Sequence, residues 1–569
     1  MRLKRHVSLL EPTLRHAATR PLLSAFSSQC AWSRYRHSST SAAYPERIAV
    51  LGGGVAGLSS AFFVSREFPN SKVTVYEAGK DAGGWVRSVK KDVPGGEVLF
   101  ELGPRTLRNA TVTAHLCQEL GLVDDITYTK KSDAAAKNRY VYYPDQLNRL
   151  PAEAPSLADL FTLWRTGIMA GAFGMIREPL IHKRPHSLTD ETVGSFISRR
   201  VDPRIADNLV SAVFHGIYAG DIFQLSAKTL LSAAWQLEGR YGSALAGYFI
   251  MNRQHKDDGG NGQVVLAHPY DIDAAQAMND QFDIDPELMK DMHAASTFTF
   301  KGGLQQLIRT LQAAVERTGN VDVKVNSPVQ STTALTGGQQ GVAVTTGEGD
   351  TTQTSDYDLV ISTLRNPSLT PFVTVQTISL YYSSPSLLPH TGFGYLIPRS
   401  VPFEQNPERA LGVIFDSYAT SGQDSVPGTK LTVMMGGHWW DGWDAYPNDE
   451  EALIMAKNVL ERHLGISEEP TAWHVNLSKD CIPQYTLGYE DRLRNFASGV
   501  SHEFKGRLRV VGNQFNGVGV NDVIQGSWNL VRGLRNGGWR RESVGLDRAT
   551  DTREWRVVPA GTLGYRRGV

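Results

Sequence analysis

Cysteine is scarce: the 569-residue chain holds three, Cys30, Cys117 and Cys481, far apart and without a CxxC pair. That spacing excludes a disulfide framework and a Cys-rich zinc site. Neither sign of charge is in excess, with 58 Lys and Arg against 58 Asp and Glu. The bulk positive field that nucleic-acid binding needs is therefore missing. Membrane-spanning runs are missing too. The charge-free run 48–64 carries four glycines and reads as strand, turn and helix start. A second candidate, TGIMAGAFGMI at 166–176, is only 11 residues long between Arg165 and Arg177. A spanning helix needs about 20. This stretch suits a buried helix, or one lying in a membrane interface; the buried helix is the expectation. There is no GxSxG, HExxH, Walker A or compact Ser/His/Asp pattern. The 15 histidines are scattered and read as structural.

What is present begins with an asymmetric N-terminus. Residues 1–44 hold seven basic side chains, eight serines and one acid, Glu11. Arg-rich, Ser-rich and acid-poor is the composition of a mitochondrial transit peptide. Without that segment 51 basic residues face 57 acidic ones, a mildly acidic chain of net charge −6. The remaining length suffices for three or four domains or one nested architecture.

The first chemistry-bearing motif follows at once. RIAVL (47–51) suits a buried parallel strand, GGGVAG (52–57) supplies GxGxxG at Gly52, Gly54 and Gly57, and an apolar helical stretch comes next. A second strand, KVTVY (72–76), ends in Glu77, 20 residues past the last glycine. Gly52 permits the tight turn, Gly54 lets backbone approach a pyrophosphate, and Gly57 lets helix pack on strand. Gly53, Val55 and Ala56 complete the loop whose helix N-terminus offers free N–H groups to phosphate. Glu77, followed by Ala78, accepts both ribose hydroxyls, which favours an unphosphorylated ribose. The order of strand, glycines, helix, strand and acid predicts a dinucleotide site. GGWVRS (83–88), with Gly84 and Trp85, resembles the extended fingerprint of glutathione-reductase-type FAD proteins, so FAD is favoured over NAD.

Further motifs carry a family resemblance. FELGPRTLR (100–108), GIYAGD (216–221), FKGGLQ (300–305), GFGYLI (392–397), LTVMMGG (431–437), CIPQYTLG (481–488) and VGNQFNGVGVND (511–522) resemble the protoporphyrinogen oxidase family of the flavin amine oxidases. The resemblance covers residues 46–535. It implies an α/β (mixed α+β) fold: a Rossmann-like FAD-binding domain, a mixed-sheet substrate domain and an α-helical membrane-binding domain. The expected boundaries are 1–44 for the transit peptide and 45–135, 292–363 and 480–545 for a discontinuous FAD-binding domain. The helical domain is expected at 136–254, a polar, mobile insertion at 255–291, and the substrate domain at 364–479.

Gly103, Pro104, Arg105 and Thr106 lie in the ELGPR turn expected near the flavin, where Arg105 holds cofactor and loop. The apolar stretch 323–329 reads as a strand, and the resemblance puts the adenine near Val329. Asn513, Val518, Gly519 and Val520 repeat the logic of strand, glycine turn and helix N-terminus, aimed at the isoalloxazine. The turn 512–516 lacks a cysteine, so FAD is expected to be noncovalent.

The resemblance further implies oxidation of protoporphyrinogen IX to protoporphyrin IX in three two-electron steps, with O2 as acceptor and H2O2 as by-product, the penultimate step of haem biosynthesis. No catalytic side chain is assigned, since the flavin is the reactive group. Arg139 is the expected partner of a propionate. Phe393, Leu396 and Met434 are the apolar walls, and Gly216 offers a backbone carbonyl; His215 beside it receives no role. Implied with these are peripheral docking on the intermembrane-space side of the mitochondrial inner membrane, transfer of product to ferrochelatase, and a homodimer. Two other readings compete: a monoamine or polyamine oxidase, and a non-enzymatic flavoprotein. Amine oxidases use a lysine near the flavin on a central strand; the counterpart here, VQTISLYY (375–382), has none.

Overall fold

The computed structural model describes residues 44–150, 157–336 and 340–564. Cys30 and the segment 1–44 expected to be a transit peptide lie outside the described residues, apart from Tyr44.

Two sheets organise the molecule. The first has five parallel strands in the order Val321–Lys324, Lys72–Tyr76, Arg47–Leu51, Leu359–Ser362 and Leu508–Val510. Its central strand is apolar throughout, with Ile48, Ala49, Val50 and Leu51 fully buried. Parallel sheets covered on both faces require such runs. The Val55–Glu67 helix returns from the first strand and packs on the Val520–Gly537 helix. There the Ser527 hydroxyl donates to the Ala56 carbonyl at 3.1 Å. Both ends of the described chain thus meet around one nucleotide-type sheet. The expected strand at 323–329 breaks in two, Val321–Lys324 and Val329–Ala334. Pro328 lacks the N–H a ladder needs, and Asn326 takes a left-handed turn at φ +50°.

The second sheet has seven strands in the order Ala472–Pro483, Phe372–Tyr382, Thr429–Gly436, Ala410–Ile414, Gly394–Leu396, Arg139–Tyr142 and Leu147–Leu150. Residues 139–150, expected in the helical unit, are therefore strands of this sheet. Their RYVYY stretch is aromatic and β-branched, which suits a pleated surface more than a helix. The strand reaching Pro483 also carries this sheet past the expected boundary at 480.

Helices Val193–Arg200, Ser211–Tyr218, Ser232–Tyr241 and Ala244–Asp257 make up the helical region. The stretch 166–176 is not a buried helix. The Leu157–Thr166 helix stops at Gly167 (φ +78°), and Gly171 (φ +88°) turns the chain again. Phe173 and Ile176 are left 75% and 74% exposed. Glycines that set the chain at positive φ break the helix that apolar content alone suggests. Nor is 255–291 a loop. It folds as strand Val264–Ala267 and helices Pro269–Gln281 and Pro286–Ala294, whose Met278, Leu288, Met289 and Met292 enter the main core. Apolar residues spaced three or four apart were hidden among its many polar ones.

Candidate functional site

The cofactor cradle forms where bare backbone meets bare backbone. Gly52 turns at φ +100°, and a Cβ there would meet Thr363 Oγ1 at 2.3 Å. A Cβ on Gly57 would lie 1.8 Å from the Gly52 carbonyl oxygen, so helix and strand touch only because it is absent. Gly54 bridges Gly83, and a Cβ on Gly84 would approach the Gly54 Cα to 3.3 Å. The Val55–Glu67 helix has no side-chain cap and no acid in its first turn, leaving its N–H groups for an anion. Val55 and Ala56 open that helix.

Glu77 is held ready by backbone. One carboxylate oxygen accepts from Gly53 N–H and the other from Gly79 N–H, both at 2.7 Å, leaving further lone pairs for a ribose. Ala78 is exposed beside it. Asn326 N–H donates to Gly79 O and Ser327 N–H to Glu77 O, which brings the start of the Val329–Ala334 strand to this acid.

Further along, a Cβ on Gly103 would meet the Trp85 carbonyl at 2.3 Å, so these two fingerprint segments run in contact. Pro104 and Thr106 are half-buried in the same turn. Arg105 is buried and its guanidinium is committed to Asp416 at 2.7 Å, while Asp416 accepts from Thr432 at 2.6 Å. It holds the loop against the second sheet rather than reaching for a ligand. At the other end, Gly512 (φ +138°) leads into Asn513, which donates to the Cys481 carbonyl at 3.1 Å. Val518 and Gly519 precede the helix opened by Val520, and Asp522 accepts from Gly519 N–H at 3.2 Å. Cys117 and Cys481 are buried, which pushes both thiols up to about 12, so neither offers a thiolate for covalent attachment. These residues fit an FAD laid from Glu77 past the glycines to the C-terminal turn.

Two wall residues, Leu396 and Met434, line up across the second sheet. Leu396 is in register with Gly412, and Gly412 with Met434. Leu396 also faces Gly216, where a Cβ would meet its methyl at 2.8 Å, so that glycine makes room for the leucine. Phe393 N–H donates to Asn138 O at 3.0 Å, and the Arg139 guanidinium lies 5.9 Å from the Phe393 ring centroid. The sequence-predicted cation and its apolar neighbours thus belong to one surface. Arg139 makes no ion pair among the described residues; partial desolvation, and then the Arg108 charge, lower its pKa.

Sequence reasoning missed two features. Arg108 is a second exposed cation near Arg139, and it ends the ELGPRTLR motif. The other is a pair, buried His215 and half-buried His438, with ring nitrogens 2.9 Å apart. Each borders a motif used above, GIYAGD and LTVMMGG.

Residues 55–531 match the model of the flavin containing amine oxidoreductases. The chain belongs to the flavin-containing amine oxidoreductase family. FAD is its cofactor. Within this family it is 33% identical to the protoporphyrinogen oxidase of Schizosaccharomyces pombe over 508 residues, 86% of this chain and 98% of that one. It is 30% identical to the human protoporphyrinogen oxidase, covering 84% and 96% of the two chains. Among solved structures, a candidate protoporphyrinogen oxidase from Exiguobacterium superposes with a TM-score of 0.64 at 20% identity, covering 86% of this chain and 98% of that one. That likeness bears on the fold. The amine-oxidase alternative is not favoured. The Phe372–Tyr382 strand carries no lysine, and the buried Lys430 on the neighbouring strand is taken by Asp424 and the Leu99 carbonyl, each at 2.8 Å.

Proposed function

We propose that this flavoenzyme is an oxygen-dependent protoporphyrinogen oxidase. The observation that carries the reading is the joint wall of Arg139, Phe393, Leu396, Gly216 and Met434, in a chain 33% identical to an enzyme of that name. Met434 packs on the cluster holding Cys481, whose carbonyl anchors Asn513 of the FAD cradle. Protoporphyrinogen IX is a large apolar tetrapyrrole with two propionates. Phe393, Leu396 and Met434 would pack on its rings, and Arg139 would hold a propionate by charge-assisted hydrogen bonds. Gly216, lacking a side chain, leaves its carbonyl free to face a pyrrole N–H. Bound FAD supplies the redox chemistry, taking two electrons at a time and handing them to O2. Removing six hydrogens from the substrate consumes three O2 and yields three H2O2.

The exposed apolar side chains Phe161, Trp164, Phe173, Met175, Ile176 and Leu180, next to Arg165 and Arg177, support peripheral docking on a lipid surface. Among the described residues no helix is long and apolar enough to cross a membrane. The composition of residues 1–44 supports mitochondrial import, and with it a place on the intermembrane-space side of the inner membrane. A sparingly soluble product released there suits direct transfer to ferrochelatase, and a homodimer is part of the same reading.

The deciding experiment mixes purified protein with protoporphyrinogen IX under air, following porphyrin fluorescence and O2 uptake. Porphyrin formed with three O2 per molecule supports the reading. Absence of porphyrin, or turnover of a polyamine instead, overturns it.

A further inference from the structure

His215 and His438 are both withdrawn from solvent, yet neither touches the cofactor cradle. His215 is 3% exposed on the Ser211–Tyr218 helix, immediately before Gly216. Its Nδ1 lies 2.7 Å from the Ile397 carbonyl, and its Nε2 lies 2.9 Å from His438 Nε2. A carbonyl only accepts, so Nδ1 of His215 carries the proton. Two ring nitrogens 2.9 Å apart share one proton between them. With His215 neutral, its Nε2 is the acceptor and His438 Nε2–H is the donor. The tautomers of both rings follow from one carbonyl.

This pair joins the three segments that carry the wall. Gly216 follows His215 directly, Leu396 precedes the accepting Ile397, and Met434 lies four residues before His438. The joint is reinforced on either side. His438 N–H donates to Ala219 O at 2.8 Å, where the helix ends in a left-handed residue. A Cβ on Gly437 would strike that same carbonyl at 2.2 Å. Trp439 packs on the His438 ring at 4.3 Å and meets the His215 ring edge-on at 5.7 Å. The charged groups around the pair are paired or placed elsewhere: Arg399 binds Asp221 at 3.3 Å, and Arg409 lies over Trp439 at 4.9 Å.

We propose that His215 and His438 are positioning residues, a neutral hydrogen-bonded clasp that fixes Gly216 against Leu396 and Met434 and so sets the width of the substrate slot. This rests on the functional reading above. A polar link between elements, withdrawn from water, specifies one geometry where apolar packing alone allows sliding. A slot shifted by about 1 Å costs up to roughly 100-fold in rate, because the reacting atoms leave their aligned distance. Neither histidine need touch the reacting carbon.

The test compares His215→Ala, His215→Asn, His215→Gln and His438→Leu with wild type. Asparagine keeps a donor near the Nδ1 position and glutamine keeps an amide near the Nε2 position, so each restores one half of the clasp. Wild-type porphyrin formation is measured first; if it is absent, the functional reading falls before any variant is compared. If it is present, His215→Ala should lose about 10- to 100-fold in kcat with KM changed less than about threefold. His215→Asn and His215→Gln should each recover part of that loss. Reoxidation of dithionite-reduced flavin by O2 should keep its wild-type rate, since the clasp acts on the substrate wall alone. If His215→Ala fails to retain flavin, His438→Leu, which removes the donor but keeps apolar bulk against Trp439, is read by the same kcat, KM and reoxidation criteria. A His215→Ala kcat within twofold of wild type, a loss confined to KM, or equal slowing of reoxidation would overturn the proposal.

Discussion

At Gly57 the first substituent atom has nowhere to go, since a Cβ would lie 1.8 Å from the Gly52 carbonyl oxygen. Gly57→Leu must therefore push helix from strand at the pyrophosphate turn. The expected outcome is folded protein without flavin absorbance; wild-type flavin stoichiometry would refute the cradle. Arg139 makes no ion pair among the described residues, so a ligand carboxylate is its natural complement. Arg139→Ala should cost roughly 1.5–3 kcal/mol, about 10- to 150-fold in kcat/KM, with flavin content unchanged. The dimethyl ester of the substrate should show little of this penalty yet still suffer from Phe393→Ala. Because the two side chains adjoin at 5.9 Å, the double variant should be less than additive. A third expectation follows from burial of His215, which pushes its pKa down to about 4 against about 6.5 in the unfolded chain. Below pH 6.5 the unfolded chain binds a proton that the folded ring refuses. Stability contributed here is thus intact above pH 6.5 and declines as pH falls towards 4, by about 3 kcal/mol in all. Urea midpoints of His215→Gln should fall less steeply over that window than those of wild type.

Elements differ in how openly the chain announces them. The Rossmann-type strand, glycine turn and helix were legible because backbone geometry there tolerates no other residue type. The C-terminal turn was legible for the same reason. Arg139, Phe393, Leu396 and Met434 were found through motif resemblance, and only the sheet register explains why residues some 300 positions apart share a surface. The His215 clasp escaped notice because its meaning lies in a partner 223 residues away. The insertion 255–291 was misread because its polar face dominates its composition, and its support comes from the far end of the chain. Arg556–Pro559 pairs with Val264–Ala267, Arg548 binds Asp271 at 2.9 Å, and Arg553 binds Asp273 at 2.9 Å. Insertion and tail are one structural unit. Ending the chain after Leu546 removes the partner strand and both arginines, leaving an open strand edge. Trypsin should then cut near Arg253 and Lys256 at least several-fold faster, while flavin content stays near wild type. Unchanged cleavage would mean the tail contributes nothing to holding the insertion.

Across the whole molecule, apolar surface and charge are segregated to different ends of the argument for location. Six large apolar side chains fall close together in sequence between residues 161 and 180 and are exposed, with Phe173 at 75% and Leu180 at 84%. Burying one such side chain in lipid gains about 1.5–3 kcal/mol. The mildly acidic charge left without residues 1–44 gives no general attraction to anionic lipid, so the proposed docking would rest on this patch and its two arginines. Phe173→Ser with Ile176→Ser should therefore weaken sedimentation with cardiolipin-containing vesicles by roughly 100-fold, about 3 kcal/mol. Activity on detergent-dispersed substrate should persist, because the substituted residues lie apart from the wall at Phe393 and Leu396. The proposed import would depend on the other end. Replacing the arginines of residues 1–44 by glutamate should strand the protein in the cytosol, while the enzyme made without residues 1–44 should still bind FAD, since the described cradle begins at Arg47. Vesicle binding intact after both serine substitutions would move the docking surface elsewhere, and mitochondrial import of the acidic variant would remove the basis for placing the protein in that organelle.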